Sequence, residues 1–228
     1  MTTITPSQLN YNDYSMNKYD RDIVNSIPHH CQIHRLIANY VRKNLSNQNI
    51  NALDLGVGTG LTSQLLQKNL PTSEFTVVDF SRNMLKCATK KLGRKNVHYI
   101  FGDYCKLKFK RKFDLIVSVV GMHHQNKAGK KKLFKKIYSL LKPDGVFIFG
   151  DLITYQDNRI AAMNNALHFN HLVKNATDKK TLADWAYHHM FLNELTPIEE
   201  QVIWLKKVGF KVKIKFLKTN TALLVCKK

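Results

Sequence analysis

Three glycines at alternate positions follow a short apolar run and precede a segment with helical spacing. The apolar run is 51–55, the glycines are Gly56, Gly58 and Gly60, and the helical segment begins at Leu61. Glycine permits a tight turn and a close approach of the backbone to a ligand, and the N-terminus of the next helix offers N–H groups to polar ligand atoms. We therefore predict a strand, a ligand-binding loop and a helix. The pattern alone does not identify the ligand, so the rest of the chain must do so.

Downstream of the loop, segments with strand character alternate with segments with helical character. We predict strands at 50–55, 74–79, 97–101, 113–120 and 146–150, helices at 60–69, 81–92 and 130–141, and a turn at 143–145. Ser81 is the expected N-cap of the second of these helices. The segment 113–120 is apolar almost throughout, as in a strand buried on both faces. This alternation predicts a parallel sheet with helices on both faces.

The flanking segments depart from this alternation. Residues 19–45 have helical spacing with a break near Pro28, so we predict a short helix followed by a longer one. Two further helices, 160–173 and 181–192, form an insertion rich in histidine and aromatic residues. A helix at 198–207 then leads to β-rich runs at 210–217 and 221–226, which predict a terminal hairpin with an antiparallel strand.

We predict one domain over residues 1–228, since a chain of this length can bury one sizeable core. Its expected parts are lid helices in 1–45, a ligand-binding core in 46–154, a helical cover for the substrate in 155–197, and the last helix and hairpin in 198–228.

Composition bears on location and partners. The four cysteines have neither zinc-site nor disulfide spacing. We find no signal peptide and no apolar run near the ~18 residues that a membrane span needs, so we expect a cytoplasmic protein. The formal net charge of +20 includes lysine clusters at 86–95, 106–112, 127–136 and 206–218. Such a charge suits a polyanion such as RNA, or it is spread over solvated surfaces with no binding role.

Acidic residues stand at the predicted carboxyl ends of three strands, where ligands of open α/β sheets bind. They are Asp54, Asp79 and Asp103. Together they suit a ligand with hydroxyls, an exocyclic amine and a positive centre. Asp79 is placed to accept from two ribose hydroxyls and Asp103 from an adenine amine, with Phe80 and Met84 packed on the adenine. The alternative for Asp79 is a helix cap.

These motifs resemble the class I S-adenosylmethionine (SAM)-dependent methyltransferases. The similarity covers about 50–150 and the hairpin, through LDLGVGTG (53–60), VDFSRNML (78–85), GDY (102–104), FDLIVS (113–118) and LLKPDGVF (140–147). The resemblance implies a Rossmann-like α/β fold with a seven-stranded, mostly parallel sheet and an antiparallel terminal strand. The residues expected to bind SAM are Asp54, Gly56, Gly58, Gly60, Asp79, Phe80, Met84, Gly102, Asp103, Tyr104, Val119 and Tyr19. A nicotinamide-binding protein is the rival for the loop alone, but no second nucleotide-binding half follows.

The N-terminal segment resembles a narrower branch. Residues 19–28 are similar to the lid of small-molecule methyltransferases and of carboxy-SAM synthase relatives. The segment 194–210 also resembles that branch. That branch often has Gly-Tyr after the proline, whereas this chain has His29 and His30. Tyr14 and Tyr19 are candidates to close over SAM.

Histidine is the residue type suited to a general base near neutral pH, which methyl transfer needs only if the acceptor is protonated. His123 and His124 follow the fourth predicted strand, and we predict that they line the acceptor pocket. A structural histidine bonded to the backbone is the alternative for each. His188 and His189 in the insertion are further candidates. No histidine spacing is typical of a metal site, so none is predicted.

We therefore predict a SAM-dependent methyltransferase that acts on O, N or C of a small molecule by in-line displacement. The alternatives are an RNA or protein methyltransferase and a non-catalytic SAM-binding subunit. The sequence identifies neither the acceptor nor the oligomeric state, for which a homodimer is one option.

Overall fold

The computed structural model describes residues 15–46 and 48–228, so that Tyr14 lies outside the described part of the chain. Within it the helices are α1 (Met16–Ser26), α2 (His30–Asn44), α3 (Leu61–Asn69), α4 (Arg82–Leu92), α5 (Lys127–Leu140), α6 (Asn158–Asn175), α7 (Lys179–Phe191) and α8 (Ile198–Val208). The strands are β1 (Asn51–Leu55), β2 (Glu74–Asp79), β3 (Val97–Phe101), β4 (Phe113–Val119), β5 (Leu141–Leu152), β6 (Lys211–Lys218) and β7 (Thr221–Lys227).

The strands form one seven-stranded sheet in the order β3-β2-β1-β4-β5-β7-β6. The first five pair in parallel, and β7 pairs antiparallel with both β5 and β6. The predicted sheet, including its antiparallel terminal strand, is confirmed. Strand order reverses between β1 and β4, so a crevice is expected beyond their carboxyl ends.

Helices cover both faces of the sheet because successive side chains of each strand point to opposite sides. In β4, Leu115 and Val117 pack with α2, α3 and α4, whereas Ile116 packs with α5 and α8. The two apolar clusters make the central strands buried on both faces, as the apolar run at 113–120 predicted.

Several element boundaries differ from the sequence prediction, most clearly those of β5 and α5. The predicted turn at 143–145 lies inside β5, where Asp144 has φ 58° and the register with β4 shifts. The segment is therefore a bulge in the strand. Helix α5 begins at Lys127 rather than Lys130, since Asn126 Oδ1 caps it by accepting from Gly129 N at 2.8 Å. The break between α1 and α2 includes His29 in a left-handed conformation, with φ 63°.

The insertion formed by α6 and α7 packs against α1 beside the carboxyl edge of the sheet. His168 fixes it there, because its Nε2 lies 3.1 Å from Ser26 O and its Nδ1 lies 2.6 Å from Asn220 Nδ2. Among the helices of the described chain, none has the length and apolar character to cross a bilayer.

Phe134 of α5 tests the packing of one face. Its side chain is fully buried and contacts Phe147 and Phe149, with ring centroids 6.5 and 5.8 Å away. We expect Phe134→Ala to lower the free energy of unfolding by about 3–5 kcal/mol, measured by urea denaturation. The control is Phe191→Ala, whose side chain is 60% exposed. A loss from Phe134→Ala no larger than that of the control would contradict the assigned core.

Candidate functional site

The glycine loop has the conformation for which its glycines were predicted. Gly56, Gly58 and Gly60 have φ values of 82°, 54° and 93°, which residues with a side chain rarely adopt. The ring of Tyr19 lies 3.7 Å from the position that a Cβ of Gly58 would occupy. At the carboxyl end of β1 the loop therefore presents backbone atoms that no side chain covers at the glycines. The aromatic ring of Tyr19, from α1, lies above it.

Asp54 is a buried carboxyl group at the end of β1. Its Oδ2 accepts a hydrogen bond from Ser63 Oγ at 2.6 Å. Burial raises the pKa of this carboxyl to about 7, although the Ser63 hydrogen bond lowers it. The nearby Asp79 raises it further. Such a group is stabilised in its charged form by a cation placed next to it.

Asp79 joins the glycine loop to the end of β2. Its Oδ2 accepts from Gly58 N at 2.9 Å and its Oδ1 accepts from Ser81 N at 2.8 Å. Ser81, not Asp79, caps α4, because Ser81 Oγ accepts from Met84 N. Each carboxylate oxygen has more than one acceptor site, so both can also accept from ligand hydroxyls.

The segment that follows β3 forms a further wall of the candidate site. The side chain of Asp103 is 27% exposed, and its Oδ1 accepts from Cys105 N at 2.8 Å. Tyr104 is buried beside Gly56 and donates to Gly121 O at 2.9 Å. Gly102 has φ 151° and its N–H donates to Asp79 O. Met84 is buried in α4, and Phe80 lines an open cleft with Arg82, Asn83, Lys86 and Phe101.

Helix α1 is bound to the glycine loop through contacts that the sequence did not reveal. Asp20 accepts from the Thr59 hydroxyl and, at 2.5 Å, from Lys91 Nζ. These residues come from three separate segments, so neither their types nor their spacing marks the contact. The result is that α1 lies over the loop, as the resemblance to a lid implied.

His30 is a second site residue that sequence reasoning missed. It lines a small hollow with Gly56, Gly58 and Val119, and its ring lies 4.3 Å from that of His34. Burial lowers the pKa of His30 to about 3, so the ring is neutral. Its buried Nδ1 has no hydrogen-bond partner within the described residues. A polar ligand atom in the hollow would satisfy it.

A larger cavity adjoins this hollow between α1, α6, α7 and the ends of β4 and β5. Its lining residues are Tyr19, Asp22, Ile23, Ser26, Ile27, Val120, His123, Leu152, His168, Leu172, Asp184, Trp185, His188, His189 and Asn193. The hollow and the cavity share three of them, Tyr19, Ile23 and Val120. Val120 has φ 53°, which is strained for a β-branched residue, and such strain is frequent at functional sites.

The predicted acceptor histidines take different positions around this cavity. His123 lines it, and its Nδ1 lies 2.5 Å from Asp151 Oδ1. His124 is not among the lining residues, and its Nδ1 donates to Leu192 O at 2.8 Å. His188 and His189 both line the cavity, and His189 Nε2 lies 2.7 Å from Asn165 Oδ1. Asp151, which orients His123, lies near the end of β5 and was not among the predicted site residues.

Comparison with known proteins finds a family match over part of the chain. Residues 52–145 match the family model described as a methyltransferase domain. A malonyl-(acyl-carrier protein) O-methyltransferase of Priestia megaterium is 39% identical over 116 residues, which are 51% of this chain and 41% of that protein. A carboxy-S-adenosyl-L-methionine synthase of Campylobacter fetus is 26% identical over 155 residues, 67% of this chain and 65% of that protein. The chain thus spans less than two thirds of the length of these relatives.

Solved structures show the same fold at low sequence identity. The structure of a DhpI–SAM–HEP complex superposes with a TM-score of 0.70 at 18% identity, and covers 100% of this chain and 99% of that one. The N-methyltransferase NodS of Bradyrhizobium japonicum, in complex with S-adenosyl-L-homocysteine, superposes with a TM-score of 0.59 at 14% identity, over 88% of each chain.

The raised pKa of Asp54 predicts that the ligand-free protein loses folding stability as pH rises. Because its folded pKa of about 7 exceeds the ordinary aspartate value of 3.8, the folded state binds the proton more tightly than the unfolded state does. The folded state therefore loses stability as pH rises between these two values. We expect Asp54→Asn to be more stable than the wild type above pH 7 by up to about 4 kcal/mol. This difference should shrink towards zero near pH 4.

Urea unfolding of both proteins at several pH values measures the difference. Groups common to both proteins cancel in the comparison. A difference that does not change with pH would contradict the assigned titration of Asp54.

Proposed function

We propose that this chain, which matches a methyltransferase-domain model over residues 52–145, is a class I SAM-dependent methyltransferase that transfers a methyl group from SAM to a small-molecule acceptor. The observation that carries the proposal is the shared wall between the hollow at the glycine loop and the adjoining cavity. Tyr19, Ile23 and Val120 line both, so a donor in one and an acceptor in the other would meet there.

The residues of the hollow fit SAM. Backbone at Gly56, Gly58 and Gly60 leaves room for it, and the buried carboxyl of Asp54 favours a cationic group nearby. His30 offers a polar partner through Nδ1. We assign the methionine end of SAM to these residues.

The remaining strand ends fit the nucleoside. Asp79 has acceptor sites for both ribose hydroxyls, and Asp103 has a half-buried carboxylate for the adenine amine. Phe80 and Met84 remain the residues proposed to pack on the adenine. Val119 and Tyr104 close the remaining sides beside Gly56.

Bound SAM supplies a methyl group that its sulfonium has already activated. The task of the protein is then alignment, because holding the two reactants in line supplies much of the rate. Tyr19 and Asp20 hold α1 over the loop, and Tyr19 also lines the junction at Val120. For an acceptor with a proton to lose, His123 is placed as the base, since its Nδ1 donates to Asp151 and its Nε2 carries the lone pair.

The cavity favours a neutral or cationic small molecule over a nucleic acid. Its lining includes Asp22, Asp184 and Trp185, and no lysine or arginine is found among its lining residues in the described chain. Nucleic-acid binding depends on cations that contact phosphates. The net charge of +20 therefore lies elsewhere than around the proposed acceptor.

Other features remain proposals. We keep the division into a lid, core, cover and terminal hairpin, a cytoplasmic location, and the homodimer as one option for assembly. The named substrates of the relatives belong to those proteins, and loops rather than the fold decide the acceptor.

Transfer of a labelled methyl group from SAM into a fractionated metabolite extract tests the function, with RNA run in parallel. We expect label in a small-molecule fraction, and incorporation that changes little between 50 and about 200 mM salt. Label in RNA that falls steeply with salt would contradict the small-molecule acceptor. Failure to label either pool, with SAM still bound, would favour a non-catalytic SAM-binding subunit.

A further inference from the structure

Three histidines from two distant segments meet beside the acceptor cavity, which His123 and His188 line. His123 and His124 follow β4, and His188 lies on α7. One ring nitrogen of each lies within 4.8 Å of one from each of the others. We propose that His123, His124 and His188 bind one divalent transition-metal ion of the zinc type, with a fourth position open to the cavity.

Backbone contacts hold the two segments together. His123 O accepts from Glu194 N at 2.7 Å, and His124 Nδ1 donates to Leu192 O at 2.8 Å. Helix α7 ends at Phe191, directly before these contacts. His188 is thereby placed one helical turn back, with its ring centroid 5.2 Å from that of His124.

Hydrogen bonds select the nitrogen that faces a metal. His123 Nδ1 lies 2.5 Å from a carboxylate oxygen of Asp151, and His124 Nδ1 donates to a backbone carbonyl. In both neutral rings the proton is then on Nδ1 and the lone pair on Nε2. Metal-bound histidines usually donate their other ring N–H to a carboxylate or a carbonyl in this way.

The geometry is close to that of a three-histidine zinc site. Nitrogens at about 2.0–2.1 Å from a tetrahedral ion lie about 3.4 Å apart. Ring nitrogens that are within 4.8 Å of one another need to approach by at most about 1.4 Å (4.8 minus 3.4) to reach this spacing. His188 is only partly buried, which leaves its side chain room to move. Catalytic zinc sites commonly have three protein ligands and one open position.

An ion here would change how the acceptor loses its proton. His123 Nε2 cannot bind a metal and act as a base at once. The open position would instead bind an acceptor oxygen and lower its pKa, the proton would leave to solvent, and the oxygen would form a bond to carbon as the carbon–sulfur bond breaks. This use rests on the proposed function, whereas the metal site itself does not.

Calorimetric titration of the metal-free, full-length protein with zinc tests the site. We expect one equivalent to bind, and His188→Ala to bind at least about 100-fold more weakly. The matched control is His98→Ala, which removes an exposed histidine of β3 and should bind zinc as the wild type does. Failure of the wild type to bind one equivalent, or equal affinity in His188→Ala, would overturn the proposal.

Two further measurements distinguish loss of the metal site from a folding defect. Cobalt bound in place of zinc should give the strong visible absorption of a tetrahedral site in the wild type and in His98→Ala. Asp151→Asn keeps all three ligands and should weaken zinc binding by about 10- to 100-fold if Asp151 orients His123. An absent cobalt band in the wild type, or unchanged affinity in Asp151→Asn with native circular dichroism, would count against the site.

Discussion

The carboxylate of Asp79 is the interaction on which the site depends. It binds the N–H of Gly58 with one oxygen and the N–H of Ser81 with the other, and so joins the loop after β1 to the helix after β2. The two strands are neighbours in parallel register, which brings both segments to the same edge of the sheet. This carboxylate adds to the constraints on the glycine loop, in which Gly56 N and Val57 N also donate to Val78 O.

The ligand site is built at a cost to the stability of the ligand-free protein. Asp54 is held in a buried position that disfavours its charge, and Val120 has a backbone conformation that is strained for its type. Both lie where the donor and the acceptor are proposed to meet. Features of this kind persist when the surrounding fold enforces them, and they are frequent at functional sites. Here the central strands, which are packed on both faces, hold Asp54 and Val120 in these positions.

The sequence predicted what depends on local pattern. Alternating strands and helices indicated the sheet, and the acidic strand ends indicated the edge at which Asp54, Asp79 and Asp103 lie. Contacts between distant segments were not predictable, because neither spacing nor residue type marks them. Examples are Asp20 with Thr59, Asp151 with His123, and the approach of His188 to His124. The bulge at 143–145 was predicted as a turn because proline and glycine are typical of both turns and bulges.

Calorimetric titration with SAM most directly tests the central claim that the glycine loop and Asp79 form the donor site. Asp79→Ala should weaken SAM binding at least about 100-fold, since charged hydrogen bonds to two hydroxyls are lost. The matched control is Glu74→Ala, which removes an exposed carboxylate from the opposite end of the same strand and should leave the affinity unchanged. Wild-type affinity in a folded Asp79→Ala variant would contradict the account.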